Sequence, residues 1–216
     1  MSRTAILCVM RSGGDFNMND VVSLYKMILE HTTISFDFIC LTDMSGIYVH
    51  DDASQPFCTI PLLNTYKGWW AKIELFRSNL VSNERILYFD LDKVITQNID
   101  DLLIQNEKFI GLKPFNNRNK RKKDFIASAI MGWVNDGSLS YIYDEFDYNQ
   151  DAAEYAGDQD YINKKLQEKE IPICYWQDIV EGIFSYKRHI RNGIVKKKDA
   201  RIICFHGDPR PKEIRL

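Results

Sequence analysis

A chain of 216 residues, 45% hydrophobic and 27% charged, can bury a substantial core and reads as one globular domain, 1–216. Its formal net charge of −2 gives no general attraction to nucleic acid or an anionic membrane. Five cysteines without C-x-x-C spacing argue against a disulfide scaffold or a structural zinc site, and no apolar run reaches the roughly 18 residues that span a bilayer.

The first ten residues lack the flanks of a signal peptide, so the expectation is a soluble, cytoplasmic protein with no membrane span. Residues 5–10 form an apolar, strand-favouring run that breaks at Arg11-Ser-Gly-Gly-Asp-Phe, a loop by its glycines. Arg11 is either a contact for a ligand phosphate or an exposed loop arginine. Asn19 or Asp20 would cap a helix running to about Glu30, with Val21, Val22, Tyr25 and Leu29 as apolar contacts. Residues 36–42 read as a second strand. Strand, loop, helix and strand in this order open a nucleotide-binding α/β half, although neither G-x-G-x-x-G nor the P-loop pattern occurs.

Residues 45–64, with turn residues and two prolines, are expected to wrap over the surface. Trp69, Ile73, Phe76 and Leu80 then recur at helical spacing, which predicts a helix with its tryptophans in a core or wall rather than on a stacking platform. Lys72 beside that stripe is either a solvated helix lysine or a cation that keeps a neighbouring carboxylate ionised. Residues 85–92 read Arg-Ile-Leu-Tyr-Phe-Asp-Leu-Asp, a short buried strand stopped by two carboxylates. If the strand persists through Asp92, Asp90 and Asp92 point to one side, at the strand end where ligands of open α/β sheets collect. Close carboxylates need a compensating cation or proton, and hard divalent ions take such oxygens. A metal-binding Asp-x-Asp is the expectation, with a solvated acidic turn as the alternative.

Residues 99–103 predict a short helix and 109–112 a strand. The isolated basic run 118–123, without interleaved aromatics, does not make a nucleic-acid footprint; it is solvated or draws in an anionic substrate. A strand over 126–134 and a helix over 138–146 follow. Gly157-Asp-Gln-Asp then opens a helix to about Glu168, with Asp158 as its cap and Asp160 at its positive end. Strands at 171–175 and 201–205 come last, the second ending in His206-Gly-Asp-Pro-Arg-Pro. Parallel strands bring their ends together, so His206 can complete an O,O,N metal set with Asp90 and Asp92, and Arg210 can clasp a diphosphate.

Four segments in this order, Trp-Trp-Ala-Lys-Ile-Glu-Leu-Phe, Tyr-Phe-Asp-Leu-Asp, Gly-Asp-Gln-Asp-Tyr-Ile-Asn and Phe-His-Gly-Asp-Pro-Arg-Pro, resemble GT-A fold glycosyltransferases of family 8 and their small stand-alone relatives. The resemblance implies a single Rossmann-like α/β domain with a mostly parallel central sheet flanked by helices. It implies a nucleoside-diphosphate-sugar donor, Mn²⁺ or Mg²⁺ on the diphosphate, and a glycan or glycoconjugate acceptor, with a lean toward retention of configuration. Asp90 would contact the ribose or sugar and help hold the ion, with Asp92 and His206 as its other ligands. Lys72 would lie near the donor, Arg210 or Lys212 near the phosphates, and Asp158, Gln159 or Asp160 beside the transferred sugar or acceptor. The tail lacks the aromatic that often follows Lys-Pro, and the spacing from His206 to the basic residue is shorter than in many members, which leaves the phosphate-contacting residue open.

A second enzyme class competes. Phe89-Asp-Leu-Asp-Lys-Val-Ile-Thr resembles the first motif of haloacid-dehalogenase-type phosphatases, with Asp90 as nucleophile and Asp92 as acid/base. Against it stand the two strands and two helices expected before it, Lys93 in the usual glycine's place, and Ile162 and Asn163 where a further Asp is wanted. A non-catalytic nucleotide-binding module is the third reading.

Overall fold

Side-chain alternation along one central strand sorts the chain into two layers. In a computed structural model that describes residues 3–44, 57–115 and 125–214, β1 (Thr4–Met10) points Ile6, Cys8 and Met10 into one apolar cluster and Ala5 and Leu7 into another. Strand β4 (Arg85–Phe89) does the same, with Leu87 and Phe89 on the first side and Ile86 and Tyr88 on the second. A strand buried on both faces needs cover from both sides, which is the α/β arrangement. The first face is covered by α1 (Met18–Glu30) and α2 (Asp100–Leu103), the second by a 3₁₀ helix, Gly68–Phe76, with α3 (Tyr141–Asp144) and α5 (Asp158–Glu168).

The central sheet has seven strands in the order β3-β2-β1-β4-β7-β6-β8. Here β2 is Phe36–Thr42, β3 Cys58–Pro61, β6 Phe109–Leu112, β7 Ala127–Val134 and β8 Ile173–Tyr175. All run parallel except β7, which is antiparallel to β4 and β6. The sheet is thus mixed but mostly parallel, and compatible with a Rossmann-like fold. A second sheet joins β5 (Lys93–Ile95), β10 (Ile202–Cys204) and β9 (Ile183–Ser185) in the order β5-β10-β9 and sends Ile95, Ile183 and Ile202 into the first cluster. Gly132 of β7 lets the two layers close: a Cβ there would lie 2.7 Å from Cζ2 of Trp176, the buried indole that opens α6 (Trp176–Ile179).

Several local expectations change. Asn17, not Asn19 or Asp20, caps α1; its side chain accepts from the Asn19 amide while Asp20 returns a bond to the Asn17 amide. Leu24 and Ile28 are buried, with Leu29 only partly so. Residues 58–61 are an edge strand rather than surface wrapping. The segment after residue 67 is 3₁₀, at about three residues per turn, so the inward row is Trp70, Ile73 and Phe76 instead of Trp69, Ile73, Phe76 and Leu80. Ser138–Phe146 yields only the short α3, and an unforeseen α4 (Tyr148–Glu154), capped by Asp147, follows. The basic run 118–123 lies outside the described residues. Among the described residues no helix is long and apolar enough to cross a membrane.

Candidate active site

Strand order reverses between β1 and β4: β2 and β3 lie to one side of β1, whereas β4 and its neighbours lie to the other. Open α/β sheets bind ligands at such switch points, outside the carboxyl ends of the strands. A cavity of about 1280 Å³ opens there, lined by Met10 ending β1 and Arg11 after it, Asp90 after β4, Leu112 ending β6 and Ala127–Ala129 opening the reversed β7. That exceeds the roughly 300–1,000 Å³ of single small-ligand pockets, so there is room for two ligands side by side.

Register explains the first charged group. Asp90 continues the even-numbered face of β4, its amide extending the ladder to the Ala129 carbonyl at 3.0 Å, so its side chain emerges beside Tyr88 and beneath the 3₁₀ helix. Tyr88 Oη donates to Asp90 Oδ1 at 2.5 Å, and Lys72 Nζ lies 3.2 Å from the same oxygen. Lys72 also lies 3.0 Å from Asp158 Oδ2 and donates to Ser128 Oγ at 3.1 Å, while Ser128 Oγ donates to Asp158 Oδ2 at 2.5 Å. Lys72 is 8% exposed and Asp158 5% exposed, so this is a buried network in which each charge requires its partners. Burial disfavours the Lys72 ammonium, but Asp158 and Asp90 outweigh it and raise its pKa. Burial also pushes the Asp90 carboxyl up, and Lys72 and Lys93 more than offset that, holding it below its ordinary range. Asp158 is therefore not the helix cap expected of it. Gly157 occupies the cap position, and the Asp158 carboxylate turns inward to Lys72.

The second carboxylate takes another direction because strand conformation ends at Phe89. The chain turns through Leu91 and Asp92 into β5 of the other sheet, so Asp90 and Asp92 take different hydrogen-bond partners, although the charge of Lys93 acts on both. Asp92 Oδ1 pairs with the buried Lys93 ammonium, and Arg210 Nη1 donates to Oδ2 at 3.1 Å. Arg210 also reaches Asp15 Oδ2 at 2.6 Å and lies 4.8 Å over the Phe16 ring, yet its buried Nε has no partner among the described residues. Lys212 bonds the Asp15 carbonyl at 3.0 Å and does not line the cavity, which separates it from the phosphate role expected of it.

Pairing of β5 with β10 brings His206 in. Cys204 lies opposite Lys93, and the Phe205 amide donates to the Asp92 carbonyl at 3.3 Å, so the next residue, His206, enters the cavity wall. His206 Nε2 shares a 2.6 Å hydrogen bond with Ser185 Oγ. His206 is exposed as a residue, but desolvation of its ring against the cavity wall, with Lys93, Lys187 and Arg188, pushes its pKa down to about 4 against the opposing pull of Asp92, which favours the neutral ring. Two carboxylates and a neutral imidazole on one cavity wall fit a hard divalent cation in donor type. The set is not preassembled: among the described residues no three acidic, His or Cys side chains converge as they stand. Arg210 is the cation on Asp92 Oδ2, and an ion would have to displace it.

Gln159 and Asp160 line the same cavity as Asp158. Arg11 lines it too, although its guanidinium is anchored on the Asn64 carbonyl at 2.9 Å. Sequence reasoning missed Ser128 and Tyr88, whose roles depend on contacts across the sheet. It also missed Lys187 and Arg188, which line the cavity without an acidic partner among the described residues. The basic pair just after a strand-like Ile-Phe-Ser was the available signal for those two. Compared with known proteins, the chain matches no family model and no curated protein.

Proposed function

We propose that the chain transfers a sugar from a nucleoside-diphosphate sugar to a hydroxyl acceptor, with Mn²⁺ or Mg²⁺ as its ion. One observation carries this reading: at the switch point, an acidic pair with a neutral imidazole lies beside cations that lack full pairing, within a single two-ligand cavity. Asp90, Asp92 and His206 would hold the ion, which when bound supplies positive charge against the departing diphosphate. Arg210, Lys187 and Arg188 offer further positive charge to the phosphate oxygens. Lys72 keeps Asp90 ionised and ties Asp158 to it, so the donor meets a preorganised wall. Gln159 and Asp160, at the head of α5, flank the space left for the transferred sugar and acceptor.

The test incubates the protein with Mn²⁺ and a panel of nucleotide sugars and measures release of nucleoside diphosphate, slow with water and faster with a competent acceptor. Acceleration follows because a positioned hydroxyl competes better than bulk water. Asp92→Asn should abolish metal-dependent donor binding. The Asn variant is preferable to Ala because Ala leaves the buried Lys93 ammonium facing an apolar gap. Release of inorganic phosphate from p-nitrophenyl phosphate, with no nucleoside diphosphate from any donor, would replace this reading with the phosphatase one.

A further inference from the structure

Trp69 is 57% exposed, whereas the other three tryptophans, Trp70, Trp133 and Trp176, are 7%, 5% and 1% exposed. Its 3₁₀ helix does not need it for packing: Trp70, Ile73 and Phe76 form the inward row, and Trp70 stacks on Phe146 at 5.4 Å. The indole instead lies at the wall of the cavity, which Gln159 and Asp160 also line. It is held in place there. A Cβ on Gly157 would stand 3.2 Å from Trp69 Nε1, so the missing side chain lets the α5 cap backbone pack against the ring. Gly68, at φ +56°, sets the turn that brings the indole out.

A fixed aromatic face next to hydrogen-bonding side chains has a matching ligand chemistry. A pyranose ring presents C–H groups on its face and hydroxyls around its rim, so one aromatic wall and a few polar groups recognise it together. We infer that Trp69 is the platform on which the acceptor's sugar ring stacks, which makes the acceptor a carbohydrate rather than a protein or lipid hydroxyl. The inference rests on the transferase reading for the word acceptor, and its test does not depend on turnover.

The experiment titrates the whole protein with maltotriose, cellotriose, chitotriose and lactose, following iodide quenching of tryptophan fluorescence. With the other three indoles buried, iodide reports on Trp69, and a stacked ring shields it. At least one sugar should give saturable shielding. By calorimetry, Trp69→Leu should weaken that sugar at least about tenfold, the factor set by about 1.4 kcal/mol. Trp69→Phe should keep most of the binding, and melting temperatures of both variants should match the parent. Binding unchanged in Trp69→Leu, or no shielding by any of the four sugars, overturns the platform. Trp69-dependent sugar binding with no nucleoside diphosphate released from any donor upholds the platform and removes the transferase reading. Donor turnover with sugar binding indifferent to Trp69 does the reverse.

Discussion

Replacing Lys72 by Met keeps most of the side chain's volume and removes its charge from a buried site. Two carboxylates lie 3.0 and 3.2 Å from its Nζ. After the change Asp90 retains Tyr88 and Lys93, but among the described residues Asp158 keeps only the Ser128 hydroxyl as a side-chain partner. Breaking a buried pair from one side costs about 3–5 kcal/mol. At roughly 2–4 °C per kcal/mol for a chain of this size, melting should fall by roughly 6–20 °C. The pH dependence carries the sharper test. Lys72 has a folded pKa above its unfolded value, so its contribution is complete below about pH 10 and fades only as pH rises through the folded pKa. Asp90 has a folded pKa below its unfolded value, so its contribution is complete above about pH 4 and is lost as pH falls through the folded one. The parent network is therefore flat between about pH 5 and 8. In Lys72→Met a buried carboxyl left without its cation should take up a proton more readily folded than unfolded. The deficit should then shrink on acidification from pH 8 to 5, by up to about 1.4 kcal/mol per pH unit per proton. Urea denaturation across that range measures it, and Asp158→Asn in the same background should restore part of the loss. A deficit that stays constant with pH, or a melting change under about 3 °C, would refute the reasoning.

Arg210→Met frees Asp92 Oδ2, so Mn²⁺ alone, followed by electron paramagnetic resonance, should bind about tenfold tighter as one like charge leaves. Nucleoside diphosphates should bind more weakly to the same variant, and unchanged Mn²⁺ affinity would show that Arg210 does not compete for the site. Gly132→Ala drives a methyl into Trp176 and should lose about 1–3 kcal/mol, with Trp176→Leu recovering part of it; parental stability in Gly132→Ala would contradict the close packing. His206 should titrate by NMR near about 4. Because its folded pKa lies below the unfolded one, the unfolded chain takes the proton first, and stability falls as pH drops from about 6.5 toward that value. His206→Asn should lose that slope, and a midpoint at 6.5 or above in the parent would count against the desolvation and neighbouring positive charge described for the ring.

Much of the sheet could be read from residues in order. Runs such as Ile86–Phe89 are apolar, short and cut off by carboxylates, so both the strand and its charged end stand out. The 3₁₀ pitch of Gly68–Phe76 was not legible, because nearly every row of that segment is apolar and helical spacing fits it as well as three-residue spacing does. For the same reason Trp69 was read as inward. Asp158 looked like a cap because a carboxylate at a helix start has a local explanation, whereas its partners Lys72 and Ser128 are 86 and 30 residues away. The second sheet escaped notice in part because its strands are three residues long and meet only in three dimensions.

The buried charge network has a kinetic consequence. Its members stand on four separate segments, the 3₁₀ helix, β4, β7 and α5, and β7 must be inserted between β4 and β6 before Ser128 meets the others. Non-local contacts of this kind close late, after loop-closure entropy has been overcome. A network that closes after the transition state would leave all three charges hydrated there, contributing neither repulsion nor attraction. Loss of Lys72 should accordingly leave the refolding limb of a chevron nearly unmoved and steepen escape from the native state, with a φ-value near zero. Lys72 then acts less as a builder of the fold than as a latch on its lifetime.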